Sequence, residues 1–207
     1  VFTRRWEVTD PALLKNPFGE TDEVRMNPPR GSAALVRPAG PTDPEIGFLF
    51  VKTTAGQPIA LLANYSLHYV GGVSRGHVSA DYFGYFCRNI EAKFIRDDDT
   101  PFVAMLTNGT SGDINNINFR EKGERREVYD KMREVAEKVA QRVLDVQPSI
   151  TYQSGVTLGA TNVDLHLSLR KPTPEVLAYL KKTVATQPED SRSKERIYLE
   201  RLSKLKD

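Results

Sequence analysis

Three histidines occur among the 207 residues, and one of them, His68, closes the apolar run LLANYSLHYVGG (61–72) just ahead of an aromatic residue and two glycines. A strand interior rarely needs an imidazole, and a solvated loop seldom follows so apolar an approach. The position therefore needs a chemical reason: an imidazole there can bind a metal or carry a proton near neutral pH. One imidazole does not define a metal site, so a satisfied structural histidine is the competing reading. A second polar cluster is the loop from Asn108 to Asn118, where TNGTSGDINN (107–116) sets Ser111, Asp113 and Asn115 among small residues. Such a loop can present backbone N–H groups and side-chain amides to a carbonyl or phosphate oxygen, although the same composition also makes ordinary turns. Asp81 suits a helix N-cap and, compatibly, an outer partner that steadies an imidazole. His77, in SRGHVSAD, reads as a loop residue and His166, in VDLHLSLR, as an outward strand residue, both expected outside any site.

These groups can meet only if the elements between them bring them together. EIGFLFVKT and PIALLANYSLH alternate like strands and are joined by the turn TAGQ, which predicts a hairpin. In DYFGYFCRNIEAKFI, residues Tyr82, Tyr85, Phe86, Ile90, Phe94 and Ile95 recur at helical spacing from about Asp81. PFVAML then reads as a short buried strand ending near Thr107. A strand to His68, a helix and a strand of these lengths suit a right-handed parallel crossover, which puts both carboxyl ends on one edge. Open α/β sheets place ligands at that edge. Further on, Val128, Met132, Val135, Val139 and Val143 form one helical stripe, residues 152–169 return to strand character, and TPEVLAYLKKTVA and SKERIYLERLSKLK read as charged amphipathic helices. The expected class is α/β: a mixed sheet with a parallel strand–helix–strand crossover and flanking helices. The expected division is a Pro/Gly-rich extended lead-in (1–45), an α/β part (46–169) and a helical C-terminal segment (170–207).

Composition narrows the functions. With 39% hydrophobic and 27% charged residues the chain can bury a core. No stretch approaches the ~20 apolar residues of a transmembrane helix. The 29 basic and 27 acidic residues leave a formal charge of +2, which gives no global field for nucleic acid. The single cysteine, Cys87, excludes an internal disulfide framework. VFTRRWEVTD holds charge and turn formers where a secretory leader needs an apolar stretch, and no initiating Met precedes it, which suggests a processed or excised piece. Asn64-Tyr-Ser and Asn108-Gly-Thr match glycosylation acceptors but fall in or beside expected core strands.

Taken in order, VRMNPP, GPTDPEIGFLFVKTTAGQPIALLANYSLH, VSADYFGYF and MLTNGTSGDINN resemble the neutral/alkaline, non-lysosomal ceramidases and their bacterial relatives over residues 1 to about 170. The resemblance implies a zinc-dependent amidohydrolase, secreted or periplasmic, in which the histidine matching His68 is a zinc ligand. It places an ADxxG segment on Ala80–Gly84 and a GDxSPN segment on Gly112–Ile117, which brings Asp113 into the catalytic set. An arginine lining the catalytic centre in that family matches Arg4 or Arg5.

The sequence departs from that family in two places. Asn115 stands where the family has serine, and Asn116 where it has proline. An asparagine supplies no nucleophilic hydroxyl, which leaves Ser111 and Thr110 as the neighbouring hydroxyls. The family's remaining metal ligands, a histidine from a THTH-like segment, a glutamate and a tyrosine, lie in regions not found here. The resulting expectation is one part of a ceramidase-like site that acts on an N-acyl lipid or a related amide or ester. It would hold one zinc ligand, have the rest of the catalytic domain as its partner, and be inactive in isolation. The alternative is a non-catalytic relative that binds a lipid or glycan in the same cleft.

Overall fold

In the computed structural model, which describes residues 1–95, 101–169 and 171–204, the first 45 residues are more regular than their composition suggests. Four short strands run through them: Phe2–Thr3 (β1), Arg5–Val8 (β2), Arg25–Met26 (β3) and Leu35–Pro38 (β4). The last three form an antiparallel sheet in the order β3-β2-β4. Prolines and glycines sit largely in the links between these strands, so they punctuate the sheet without preventing it. Trp6 anchors it: the indole is buried, donates to the Thr3 carbonyl at 3.2 Å, meets Phe119 edge-on at 6.4 Å and lies under the Arg120 guanidinium at 5.1 Å.

The central sheet begins with the expected hairpin, Ile46–Lys52 (β5) and Pro58–Tyr65 (β6), paired antiparallel. Its turn closes through the Thr53 N–H on Gln57 O (2.8 Å) and the Gly56 N–H on Thr53 O (2.9 Å), with Gly56 at a φ of 85° that a β-carbon would resist. Helix Asp81–Phe94 (α1) then crosses to Val103–Asn108 (β7), which pairs parallel with β6 from Ala60↔Val103 to Tyr65↔Asn108. The sheet order β5-β6-β7 is therefore mixed, with the parallel crossover that the element order requires. Ile114–Asn115 (β8) returns to pair with β1, and Asp130–Val146 (α2) packs against α1.

One face of the sheet carries the core. Phe50, Leu61, Ala63, Tyr65 and Ala104 alternate inward and meet Tyr82, Phe86 and Ile90 of α1 and Met132, Ala136, Val139 and Val143 of α2. Val128 lies before α2 and is exposed, so the helical stripe starts one turn later than its spacing implied. On the opposite face, Leu49, Leu62 and Met105 stand in one cross-strand row and Val51, Ala60 and Val103 in the next, and the two end residues of each row are exposed.

Residues 152–169 contain no strand, contrary to their alternation. Their apolar side chains are exposed, Leu167 at 84%. A strand exists only through a paired neighbour, and no described strand pairs with this segment. Pro174–Ala185 (α3) and Lys194–Leu202 (α4) follow as the amphipathic pattern indicates, each with a hydroxyl N-cap, Thr173 and Ser193. They pack on each other and reach the N-terminal region through Tyr179 against Gly19 and Tyr198 against Phe18.

Truncating Phe86, wholly buried between α1 and the sheet, is expected to cost about 3–5 kcal/mol in denaturant unfolding, whereas Leu49→Ala on the open face is expected to change stability by less than about 1 kcal/mol. Equal effects would show that the two faces have been assigned wrongly.

Candidate functional site

The site is built where β6 and β7 end. β6 stops at Tyr65, three residues before His68, because the chain turns there with the Leu67 N–H on Tyr65 O at 2.9 Å. His68 is thus on a short exit segment beyond the strand. That segment is held from both sides by the first turn of α1. The Tyr82 hydroxyl donates to Leu67 O at 2.9 Å, and the Asp81 carboxylate accepts from the N–H groups of Val70 (2.7 Å) and Gly71 (2.8 Å). Burial, followed by nearby Tyr65 and Asp81, pushes the Tyr82 hydroxyl far above its ordinary pKa and keeps it a neutral donor.

Asp81 therefore does something other than cap. Ala80 takes the N-cap position without a side-chain bond, and Asp81 is the first helical residue, at a φ of 52°. Its carboxylate also accepts from the Tyr82 N–H at 2.7 Å, which places the negative charge at the positive end of α1. Its side-chain partners are backbone N–H groups on the segment carrying His68. Among the described residues the His68 ring makes no hydrogen bond; it is partly buried and contacts the Tyr69 ring at 4.2 Å between centroids.

The loop after β7 lies at the same edge, as the parallel register demands. The Gly109 N–H donates to Tyr65 O at 3.0 Å, and a β-carbon at Gly109 would stand 2.6 Å from Ser66 Oγ and 3.3 Å from Ser66 Cα, so a larger residue there would require the Ser66 side chain to move and would crowd the strand exit. Thr110 Oγ1 meets Ser66 Oγ at 3.4 Å. The loop folds on itself through Ser111 N–H to Gly109 O (2.8 Å) and Ile114 N–H to Ser111 O (3.1 Å).

The N-terminal strand brings the arginines in. With Phe2 opposite Asn115 and Thr3 opposite Ile114, the Arg4 N–H donates to Asp113 O at 2.6 Å and Arg4 Nη1 to Gly112 O at 3.2 Å. Arg4 Nε donates to Asn27 Oδ1 at 3.0 Å, so much of its guanidinium fastens the loop to the lead-in. Arg5 Nε stands 3.8 Å from Asp113 Oδ2 in an exposed pair that contributes little stability. Arg4, Ser111, Asp113 and Asn115 are thereby gathered on one loop system, with His68 on the neighbouring exit.

The buried polar residues are concentrated here: Thr3, Ser66, Asp81, Ser111 and Asn115. Asn115 Oδ1 accepts from the Ile117 N–H at 2.8 Å and shapes a turn, while its Nδ2 donates to no described residue. The Ser111 hydroxyl and the N–H groups of Thr110 and Gly112 are likewise uncommitted among the described residues. Chemically, this edge presents uncommitted hydrogen-bond donors, a carboxylate at Asp113 and an imidazole at His68. Among the described residues no group of three or more His, Cys, Asp or Glu side chains is placed to hold a metal ion, so His68 with its surroundings does not by itself fit zinc.

His77 hydrogen-bonds and stacks with Tyr129, whose N–H donates to Gly72 O at 2.9 Å. Tyr129 thus ties the glycine-rich stretch after His68 to the start of α2. His166 is exposed in the segment without secondary structure. Sequence reasoning missed Tyr82, Ser66 and Tyr129. Only Tyr82 gave a signal, being a hydroxyl-bearing ring at the strand-facing start of an apolar helix stripe.

Asp81→Ala leaves three backbone donors, those of Val70, Gly71 and Tyr82, without their acceptor and is expected to speed amide exchange at Val70 and Gly71 and to lower stability by about 1–3 kcal/mol. Asp81→Asn, which keeps one carbonyl acceptor, is expected to fall between the two. Unchanged exchange at both amides in Asp81→Ala would contradict the clamp.

No protein-family model matches the chain, and no curated protein does. Among solved structures, the neutral ceramidase of Pseudomonas aeruginosa is similar, with a TM-score of 0.42 and 18% sequence identity over 51% of this chain. The chain spans 17% of that protein's length.

Proposed function

We propose that the carboxyl edge of β6 and β7 is part of a ceramidase-like amidohydrolase site that takes an N-acyl lipid or a related amide or ester. The observation that carries this reading is the convergence at that edge. The parallel crossover puts the His68 exit beside the Asn108–Asn118 loop, and the β1–β8 pairing adds Arg4 to Ser111, Asp113 and Asn115. The ordered resemblance in sequence falls on these same segments.

In this reading the Asn115 amide and the loop N–H groups orient the substrate carbonyl and stabilise charge developing on its oxygen. Arg4 keeps the loop in place through Gly112 and Asp113. Asp81 and Tyr82 keep His68 at the mouth. The reading assigns zinc to the complete site, with His68 as one ligand and the others outside this chain; bound zinc supplies Lewis acidity and activates water. Since the described residues do not make a metal site alone, no chemical step is assigned through it.

The test uses the full-length protein and a panel of N-acyl lipids and simple amides. Asn115→Asp keeps the Oδ1 acceptor for Ile117 while removing the Nδ2 donor. It is expected to lower turnover by roughly two orders of magnitude, the usual cost of one oxyanion donor. Ser111→Ala is expected to retain most activity. Loss in Ser111→Ala with none in Asn115→Asp would make Ser111 the reacting hydroxyl. No hydrolysis of any panel member by the unmutated protein would favour a binding relative that uses the same cleft.

A further inference from the structure

A second cleft, of about 380 Å³, opens between the N-terminal region and α4, away from the sheet edge. Lys15, Arg25, Lys194 and Arg201 line it, and Asp22 is the one carboxylate that does. None of the four cations forms an ion pair among the described residues. Asp22 accepts at 2.9 Å from the side chain of Asn16, which lines the same cleft. An adjoining cleft shares Lys15 and Lys194 and adds Glu20 and Glu195, so the positive excess lies towards Arg25 and Arg201.

Arg25 is the more telling of the two arginines. One guanidinium nitrogen, Nη1, donates to Leu13 O at 3.1 Å, but Nε is buried with no hydrogen-bond partner. Nε is closed off from the cleft, so what Arg25 can offer a ligand there is Nη2, which makes no hydrogen bond among the described residues. The wall beside it is apolar: Phe18 and Tyr198 are ring-packed at 4.9 Å, and Ile197 and Met26 are exposed. The region is preorganised. The Asn16 side chain accepts from the Phe18 and Glu20 N–H groups, both at 3.0 Å, and Ser193 caps α4, so both walls are set before any ligand arrives.

We propose that this cleft binds a phosphate group carried on an apolar body. Four cations less the one carboxylate leave three positive charges lining the cleft, which a phosphate monoester, at close to two negative charges, matches better than a single carboxylate ligand would. Arg201 can bind such an oxyanion through two parallel N–H donors, Arg25 adds its Nη2, and Lys15 and Lys194 stand at the rim. The rings of Phe18 and Tyr198 take the apolar part. The phosphate can belong to a soluble ester or to a lipid head group.

The experiment titrates the protein with inorganic phosphate and with a short-chain alkyl phosphate, followed by NMR shifts of the Arg25 and Arg201 side chains. In parallel, co-sedimentation compares phosphatidic acid vesicles with vesicles of phosphatidylcholine alone. Arg201→Glu and Lys194→Glu lie on the exposed face of α4 and leave the fold intact. Each is expected to weaken binding about tenfold, while Lys138→Glu on α2 has no effect. Saturable binding of the soluble phosphates identifies a soluble ester. Binding to phosphatidic acid vesicles alone identifies a lipid head group, and both results support the site. Absence of binding in both arms, or equal binding by Arg201→Glu and the unmutated protein, overturns it.

Discussion

The candidate site depends on one clamp. The first turn of α1 closes on the chain as it leaves β6, with Asp81 accepting from the N–H groups of Val70 and Gly71 and Tyr82 donating to Leu67 O. These three bonds span His68 on both sides. They also join two links of the architecture, because the helix that completes the parallel crossover is the element that fixes the strand exit. Without them the exit would be a stretch containing Gly71, Gly72 and Gly76, all at positive φ, with little to define a single path. The second contact at this edge is steric: Gly109 allows the β7 exit to press against Ser66.

The N-terminal strand completes the arrangement from a distance in sequence. Only two residues of β1 pair with two of β8, yet this short ladder is continued by the Arg4 N–H on Asp113 O and by Arg4 Nη1 on Gly112 O. Trp6 keeps the ladder in register by burying its indole between Phe119 and Arg120, which lie just beyond the loop. The lead-in is therefore a brace for the Asn108–Asn118 loop. The same region supplies one wall of the phosphate cleft, so a single small sheet supports two distinct surfaces.

The hairpin, the crossover and both central helices were legible in the sequence because each rests on periodicity: Leu61, Ala63 and Tyr65 alternate, and Tyr82, Phe86 and Ile90 recur by four. The common edge of His68 and the Asn108–Asn118 loop followed from element order alone. Other features left no such trace. Two-residue strands such as β1 and β8 have no period, and their pairing across the chain depends on tertiary contacts. Asp81 suggested a cap because residue type reports what a carboxylate can accept, not which backbone N–H reaches it. Residues 163–169 alternate as a strand should, but alternation sets which face would be buried and cannot provide the neighbour that makes a strand. The paired use of Asn115, with Oδ1 in a turn and Nδ2 uncommitted, was also hidden, since it depends on where Ile117 lies.

The most direct measurement of the central claim, that the carboxyl edge of β6 and β7 receives a substrate amide, is a backbone-amide NMR titration of the protein with a short-chain N-acyl amino alcohol. Saturable shifts are expected to concentrate at Gly109–Asn116 and at Val70 and Gly71, with the open face of the sheet around Leu49 and Met105 unaffected. Saturable shifts confined to that apolar face, or to any surface that excludes the Gly109–Asn116 loop, would contradict it.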